Sequence, residues 1–129
     1  MKITTGEVKK IFILMPELMA KRLPSKVGYA ISKNMKNLKS IAESYEEEHY
    51  KLIERYGKRD ENGKLIKPRK DRVDLEDAEG YVKELKELEA IENEVEIHMI
   101  DFEALERCDE SQFDALSPSD LDALDFMLK

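Results

Sequence analysis

The chain of 129 residues has no tryptophan, a single cysteine and no long apolar run. The most apolar stretch, Ile11–Met15, is followed at once by Pro16, whereas a membrane-spanning helix needs about 20 apolar residues. Cys108 alone forms no intramolecular disulfide, which favours a reducing compartment. The first residues lack the charged segment, apolar run and small-residue cleavage site of a secretory signal. We therefore expect a cytoplasmic protein without membrane association.

The patterns of common active sites are also missing. The chain has two histidines, no glycine-rich phosphate loop and no Gly-x-Ser-x-Gly motif. Cys108 is followed by Asp109 and Glu110, whose charges disfavour the reactive thiolate. We predict a non-enzymatic protein with no catalytic residues, no cofactor and no small-molecule substrate.

Glu46 and His49 form a Glu-x-x-His motif, which is half of the ligand set of a di-metal helix bundle. The other half is missing, since His98 follows Glu94 by four residues and no second motif exists. We favour the alternative that His49 makes a hydrogen bond beside tyrosines, and we predict no metal.

Composition indicates a mainly α protein in a single domain over residues 1–129. Charged residues make up 40% of the chain and apolar residues 41%, which is typical of long helices with solvated outer faces. Thr4 and Glu7 form a capping box at the start of the first helix, with Ile3 and Val8 as a hydrophobic staple. We expect that helix to bury the face that contains Val8, Ile11, Phe12 and Met15, and to break or kink at Pro16.

A heptad seam runs along the longest predicted helix, which spans about residues 25–57. Its residues recur at spacings of three and four: Ile31, Met35, Leu38, Ala42, Tyr45, His49, Leu52 and Tyr56. At 1.5 Å per residue this helix is roughly 50 Å long, too long for one shorter helix to cover. We expect antiparallel flanking helices and a homo-oligomer through the seam residues Ile31, Met35, Leu38, Tyr45, Leu52 and Tyr56.

The rest of the chain predicts two further helices and a short β element. Asp74 is the expected cap of a third helix with an apolar side at Val82, Leu85 and Leu88. Alternation of apolar and polar residues predicts a strand near residues 95–100, which would pair with the first residues, with the Asn62-Gly63 turn or with a second chain. Ser117, Pro118 and Asp120 predict a short C-terminal helix.

Charge is distributed unevenly along the chain. Residues 1–73 carry a net charge of +8 and residues 74–129 carry −15, which indicates either a nucleic-acid face or, as we favour, neutralisation between the two halves or simple solvation of the charges. Seven of the 15 residues from Lys58 to Arg72 are basic. Within this exposed connection, which spans residues 58–73, the candidate contacts for nucleic acid or another partner are Lys64, Lys67, Arg69, Lys70 and Arg72.

Three sequence segments carry a family resemblance. The long helix ending in RYGKRDENG, the later EVEI segment and the C-terminal LSPSDLDALDFMLK resemble a family of small uncharacterised proteins of phages and prophages of Gram-positive bacteria. The resemblance implies a location in the bacterial cytoplasm or the virion, and an accessory or assembly role through protein contacts. A nucleic-acid-binding regulator that uses residues 58–72 is the alternative.

Overall fold

The computed structural model describes residues 1–67 and 72–129 and shows a mainly helical protein with a small antiparallel sheet. The elements in chain order are β1 (Lys2–Thr4), α1 (Thr5–Met19), α2 (Ser25–Tyr56), α3 (Ala78–Glu89), β2 (Glu92–Glu94), a 3₁₀ helix (Phe102–Asp109), α4 (Pro118–Leu124) and a 3₁₀ turn (Asp125–Met127). The predicted fold class is confirmed.

Helix α1 begins with the predicted capping box. The Glu7 amide donates to Thr4 Oγ1 at 3.1 Å, and the Thr4 amide donates to Glu7 Oε2 at 3.2 Å. The helix is not broken at Pro16, which corrects that part of the prediction, since α1 continues to Met19. Pro16 is exposed and lies in the last turn, so it removes a hydrogen bond at the surface and not in the core.

Both α1 and α3 run antiparallel to α2, as predicted. Lys9, near the start of α1, contacts Tyr45 in the second half of α2, whereas Met19, at the end of α1, lies beside Ser32. Tyr45 also contacts Glu89 in the last turn of α3, whereas Arg55, in the last turn of α2, pairs with Glu84, which lies earlier in α3. The two shorter helices therefore cover different parts of α2, with α1 packed toward its beginning and α3 toward its end.

The predicted oligomer seam is buried inside the chain. Ile31, Leu38 and Tyr45 are at most 2% exposed and Leu52 is 7% exposed, while Met35 and Tyr56 are half-buried. The length mismatch that suggested a second chain on this face is absent, because α1, α3 and the C-terminal segment cover α2 together. Four of the six predicted seam residues are therefore core residues of this chain.

Helix α3 starts three residues later than predicted. Asp77, not Asp74, is the N-cap, and its carboxylate accepts a hydrogen bond from the Gly80 amide at 3.0 Å. The backbone of Asp74 is already engaged, because its carbonyl accepts from the Lys58 amide and its amide donates to the Ile66 carbonyl. The predicted apolar side is only partly covered: Leu85 and Leu88 are half-buried, but Val82 is 44% exposed.

The β element lies a few residues before the predicted one. Strand β2 (Glu92–Glu94) pairs antiparallel with β1, with Lys2 opposite Glu94, which confirms the first residues of the chain as the partner. Beyond β2 the backbone is held by side chains of α2. The Asn34 amide group donates to the His98 carbonyl at 2.9 Å and accepts from the His98 amide at 2.7 Å. Asn34 thus replaces a neighbouring strand.

The C-terminal helix docks on its own chain. Ser117 and Asp120 form the predicted capping box, and Asp120, which is 2% exposed, also accepts a hydrogen bond from Lys21, just after the end of α1. Leu124 and Met127 are fully buried. The Ile100 amide donates to the Met127 carbonyl at 2.8 Å, which fixes the end of the chain against the segment after β2.

The two oppositely charged halves neutralise each other in part, as predicted. Within residues 1–67 and 72–129, basic residues of the first half pair with acidic residues of the second half at four places: Lys9 with Glu89, Lys21 with Asp120, Arg22 with Asp114, and Arg55 with Glu84. The charge asymmetry along the sequence is therefore partly an internal feature of the fold.

Candidate interaction surfaces

The described residues of the basic connection form an arm at the end of α2, built as an irregular hairpin. Isolated antiparallel bridges join Gly57 to Leu75 and Arg59 to Leu65. At the tip, Asp60 Oδ1 accepts from the amides of Asn62 and Lys64, at 2.8 and 3.0 Å. Gly63 adopts φ +76°, the left-handed conformation that glycine tolerates. The turn predicted at Asn62-Gly63 is present.

Gly57 has a steric requirement at the base of the arm. A Cβ atom there would overlap Leu65 Cδ2 and would lie 2.5 Å from the Ile53 carbonyl oxygen. Both approaches are far closer than van der Waals contact, so a larger residue at position 57 would force the backbone at the base of the arm to shift.

The arm presents three of the five predicted contact residues at its surface. Lys64, Lys67 and Arg72 are exposed, while Arg69 and Lys70 lie outside the described residues. Arg59 has a structural role, since it donates to Glu54 Oε2 at 2.6 Å and to the Gly63 carbonyl at 2.8 Å. The Arg59 hydrogen bond lowers the pKa of Glu54.

A polar cluster joins α1, α2 and α3. His49 Nε2 lies 2.6 Å from Tyr81 Oη, and the His49 ring stacks on Tyr45 with centroids 5.7 Å apart. Glu89 Oε1 accepts from Tyr45 Oη and from Lys9 Nζ, both at 3.3 Å. The interpretation of His49 as a hydrogen-bonded residue beside tyrosines is confirmed.

Burial and charge shift the pKa values in this cluster. Burial lowers the pKa of His49, and the Lys9 charge lowers it further. Burial raises the pKa of Tyr45. For Lys9 burial acts to lower the pKa, but hydrogen bonds and charges from Tyr45 and Glu89 outweigh it, so the pKa is raised. The cluster therefore favours a neutral imidazole beside a charged lysine.

Glu46 and His49 do not converge on one point. Glu46 is exposed and borders the groove between α1 and α2, while His49 faces Tyr81 of α3. Over residues 1–67 and 72–129, no group of three or more His, Cys, Asp or Glu side chains is placed to hold a metal ion. Cys108 is 2% exposed, and burial together with the Asp109 charge raises its pKa.

An open apolar groove lies between α1 and α2. Two hollows of about 440 and 490 Å³ adjoin at Phe12 and Lys39. The surface between them is mainly apolar, and Met19 is 52% exposed. We define the groove by its lining residues: Phe12, Pro16, Met19, Ser32, Met35, Lys36, Lys39, Ala42, Glu43, Glu46 and Glu47.

Sequence reasoning missed this groove. The sequence pattern places Phe12 in the core and Met35 in the seam, yet both are only half-buried. The available signal was the excess of apolar residues on α1, since Ile11–Met15 is apolar at every position and one helix face cannot bury them all.

Comparison of the chain with protein-family models, curated proteins and solved structures finds no match. Among the described helices, none has both the length and the apolar character needed to span a membrane. The described residues thus form a small mainly α protein whose surface includes an apolar groove and a basic arm.

Proposed function

We propose that this chain is a non-enzymatic phage or prophage accessory or assembly protein that acts through protein contacts, in the cytoplasm of a bacterial host or in the virion. The phage setting is supported by the sequence resemblance alone. The observation that carries the contact role is the open groove between α1 and α2, with Phe12, Pro16 and Met19 on one wall and Met35 and Ala42 on the other.

The groove has the form that a helical partner segment recognises. On α1 its apolar residues recur at spacings of four and three, so they form one stripe along the helix. A facing stripe on α2 completes a channel between two antiparallel helices, and such a channel accepts the apolar side of an amphipathic helix. Contiguous apolar surface of this kind marks interaction sites on folded proteins.

Site-specific photo-crosslinking in the bacterial host tests this proposal. A photoreactive residue at position 19 places the probe in the groove, and the same residue at position 44 is the matched control, because Ser44 is exposed elsewhere on α2. We expect a discrete adduct from position 19 and none from position 44, with the partner identified by mass spectrometry. Equal labelling at both positions, or no adduct from position 19, contradicts the proposal.

A nucleic-acid-binding regulator is the second candidate, favoured by the exposed cations of the arm. Lys64, Lys67 and Arg72 are exposed beside a hairpin at one end of α2, and exposed cations of this kind suit phosphate contacts that read no sequence. Arg69 and Lys70 belong to the same basic stretch.

A triple variant, Lys64→Gln/Lys67→Gln/Arg72→Gln, tests this alternative. We expect it to weaken binding to a DNA or RNA duplex equally for all sequences, and to reduce the log–log slope of affinity against salt by about one unit for each phosphate that is no longer neutralised. The control Lys26→Gln/Lys33→Gln/Lys83→Gln removes three exposed charges elsewhere. Equal effects of the two variants contradict a specific role for the arm.

A further inference from the structure

The α2 wall of the groove carries two lysines and two glutamates that are spaced symmetrically on either side of Ile41. Lys36 and Lys39 lie five and two residues before Ile41, and Glu43 and Glu46 lie two and five residues after it. All four charged side chains are exposed and line the groove. A two-fold axis through α2 at Ile41 would therefore place each lysine opposite a glutamate of a second copy.

We propose that a second copy of this chain occupies the groove, with its α2 antiparallel to the first α2. This inference rests on the proposed function, whose contact surface it uses, and names the partner. An isologous contact needs a surface patch that complements itself. The pairs Lys36–Glu46 and Lys39–Glu43 then form across the interface, each of them twice.

Tyr50 supplies the apolar anchor of this arrangement. It is 62% exposed and lies nine residues after Ile41, so the axis places it opposite Ser32, nine residues before Ile41. Ser32 borders the hollow formed with Phe12, Pro16 and Met19. The tyrosine of one copy therefore covers the apolar hollow of the other, about 14 Å from the axis at 1.5 Å per residue. Buried tyrosines are frequent anchors of interfaces.

The charges set the register and the apolar contact supplies most of the affinity. Exposed ion pairs contribute little on their own, but like charges placed opposite each other exclude other alignments. Within one chain Lys39 and Glu43 are 3.9 Å apart and 72% and 64% exposed. This loose pair can exchange for the intermolecular one at little cost.

A charge-reversal experiment tests the arrangement by sedimentation velocity across concentration at low and high salt. The variants are Lys36→Glu/Lys39→Glu and Glu43→Lys/Glu46→Lys, with circular dichroism to confirm that each is folded. We expect wild type to dimerise and each variant alone to dimerise roughly tenfold or more weakly, since every cross-axis pair becomes repulsive. An equal mixture of the two variants restores the dimer, because each lysine again meets a glutamate.

A steric variant adds a readout that is independent of charge pairing. Ala42→Arg fills the groove beside the axis, and Ser44→Arg adds the same side chain at an exposed position outside the groove. We expect only Ala42→Arg to abolish the dimer. A wild-type dimer that is unaffected by Ala42→Arg or by the charge reversals overturns the inference.

The proposed function can survive the failure of this inference. If wild type stays monomeric at all concentrations while position 19 still crosslinks to a different protein, the second copy is excluded and the groove remains a contact surface. If wild type is monomeric and position 19 gives no adduct, both proposals are overturned.

Discussion

The two ends of α2 are stabilised by different kinds of contact. In its first half, Val27, Ala30 and Leu38 are fully buried with residues from α1 and from the C-terminal segment. Near its end α2 packs on α3, a helix without a single buried residue, mainly through the polar cluster and the Arg55–Glu84 ion pair, and Leu52 is the one aliphatic side chain of α2 buried there. Apolar burial contributes far more free energy than exposed polar contacts. The two ends should therefore differ in local stability.

The largest expected effect is at the apolar end. Leu38→Ala removes a fully buried side chain and should lower the free energy of unfolding by about 2–5 kcal/mol. Val82→Ala on α3 is the matched comparison, since Val82 is 44% exposed, and it should change stability by no more than about 0.5 kcal/mol. Urea unfolding measures both, and similar losses would remove the distinction between the two ends.

A second prediction concerns the buried carboxylate at the apolar end. Asp120 completes the capping box of α4 by accepting from the Ser117 amide, and it pairs with Lys21. Asp120→Ala should therefore destabilise the protein by about 2–4 kcal/mol, through the lost half of the capping box and a lysine left without its partner. Asp122→Ala is the control, because Asp122 is an exposed aspartate on the same helix. Thermal or urea unfolding of the pair tests this, and equal effects would contradict it.

The third prediction uses pH to probe the polar end. The pKa of His49 is lowered from its usual 6.5 by burial and then by Lys9, so below that value the unfolded chain binds more protons than the folded one. The free energy of unfolding that depends on a neutral His49 should be at its full value above about pH 6.5, and it should fall as the pH decreases through that region. Tyr45, Glu46, Tyr81 and Glu89 are the other titratable groups of this site.

His49→Gln removes this titration and leaves a side chain that is able to hydrogen bond to Tyr81. We expect wild type to lose more stability than the variant between pH 8 and pH 5, measured by urea unfolding. Hydrogen exchange should locate the extra loss in α3. Identical pH profiles of the two proteins would show that His49 does not couple protonation to folding.

The smallest expected effect is at the exposed ion pair of the polar end. Arg55 and Glu84 are 58% and 34% exposed as side chains, and exposed pairs contribute about 0.2–1 kcal/mol. A double-mutant cycle with Arg55→Ala and Glu84→Ala should give a coupling energy in that range, which decreases with added salt. A salt-independent coupling above that range would show that the polar end is held more strongly than we expect.

The sequence predicted correctly those features that depend on residues close together in the chain, and it misplaced those that depend on contacts between distant residues. The two capping boxes, at Thr4 and Ser117, involve residues three positions apart, so the local sequence is sufficient to define them. The start of α3 could not be predicted, because the backbone of Asp74 bonds to Lys58 and Ile66 across the arm. The strand near residue 95 was misplaced because Asn34, far away in sequence, binds the backbone there.

Of the candidate sites, the sequence predicted the arm but not the groove. Basic residues clustered in one segment are visible in the sequence, and Lys64, Lys67 and Arg72 are indeed exposed. The groove needs Phe12 and Met35 to lie side by side on two different helices. Their half-buried state depends on how α1 crosses α2, which no local pattern encodes.

The sequence by itself determined the helical class, the caps, the long α2 and the turn at Asn62-Gly63, because periodicity and local hydrogen bonding act within a few residues. Only the tertiary structure decided that the heptad seam is covered by the chain itself and that the open apolar surface lies between α1 and α2. The physical reason is that burial depends on which elements pack together, and an apolar stripe has the same sequence whether its own chain or another covers it.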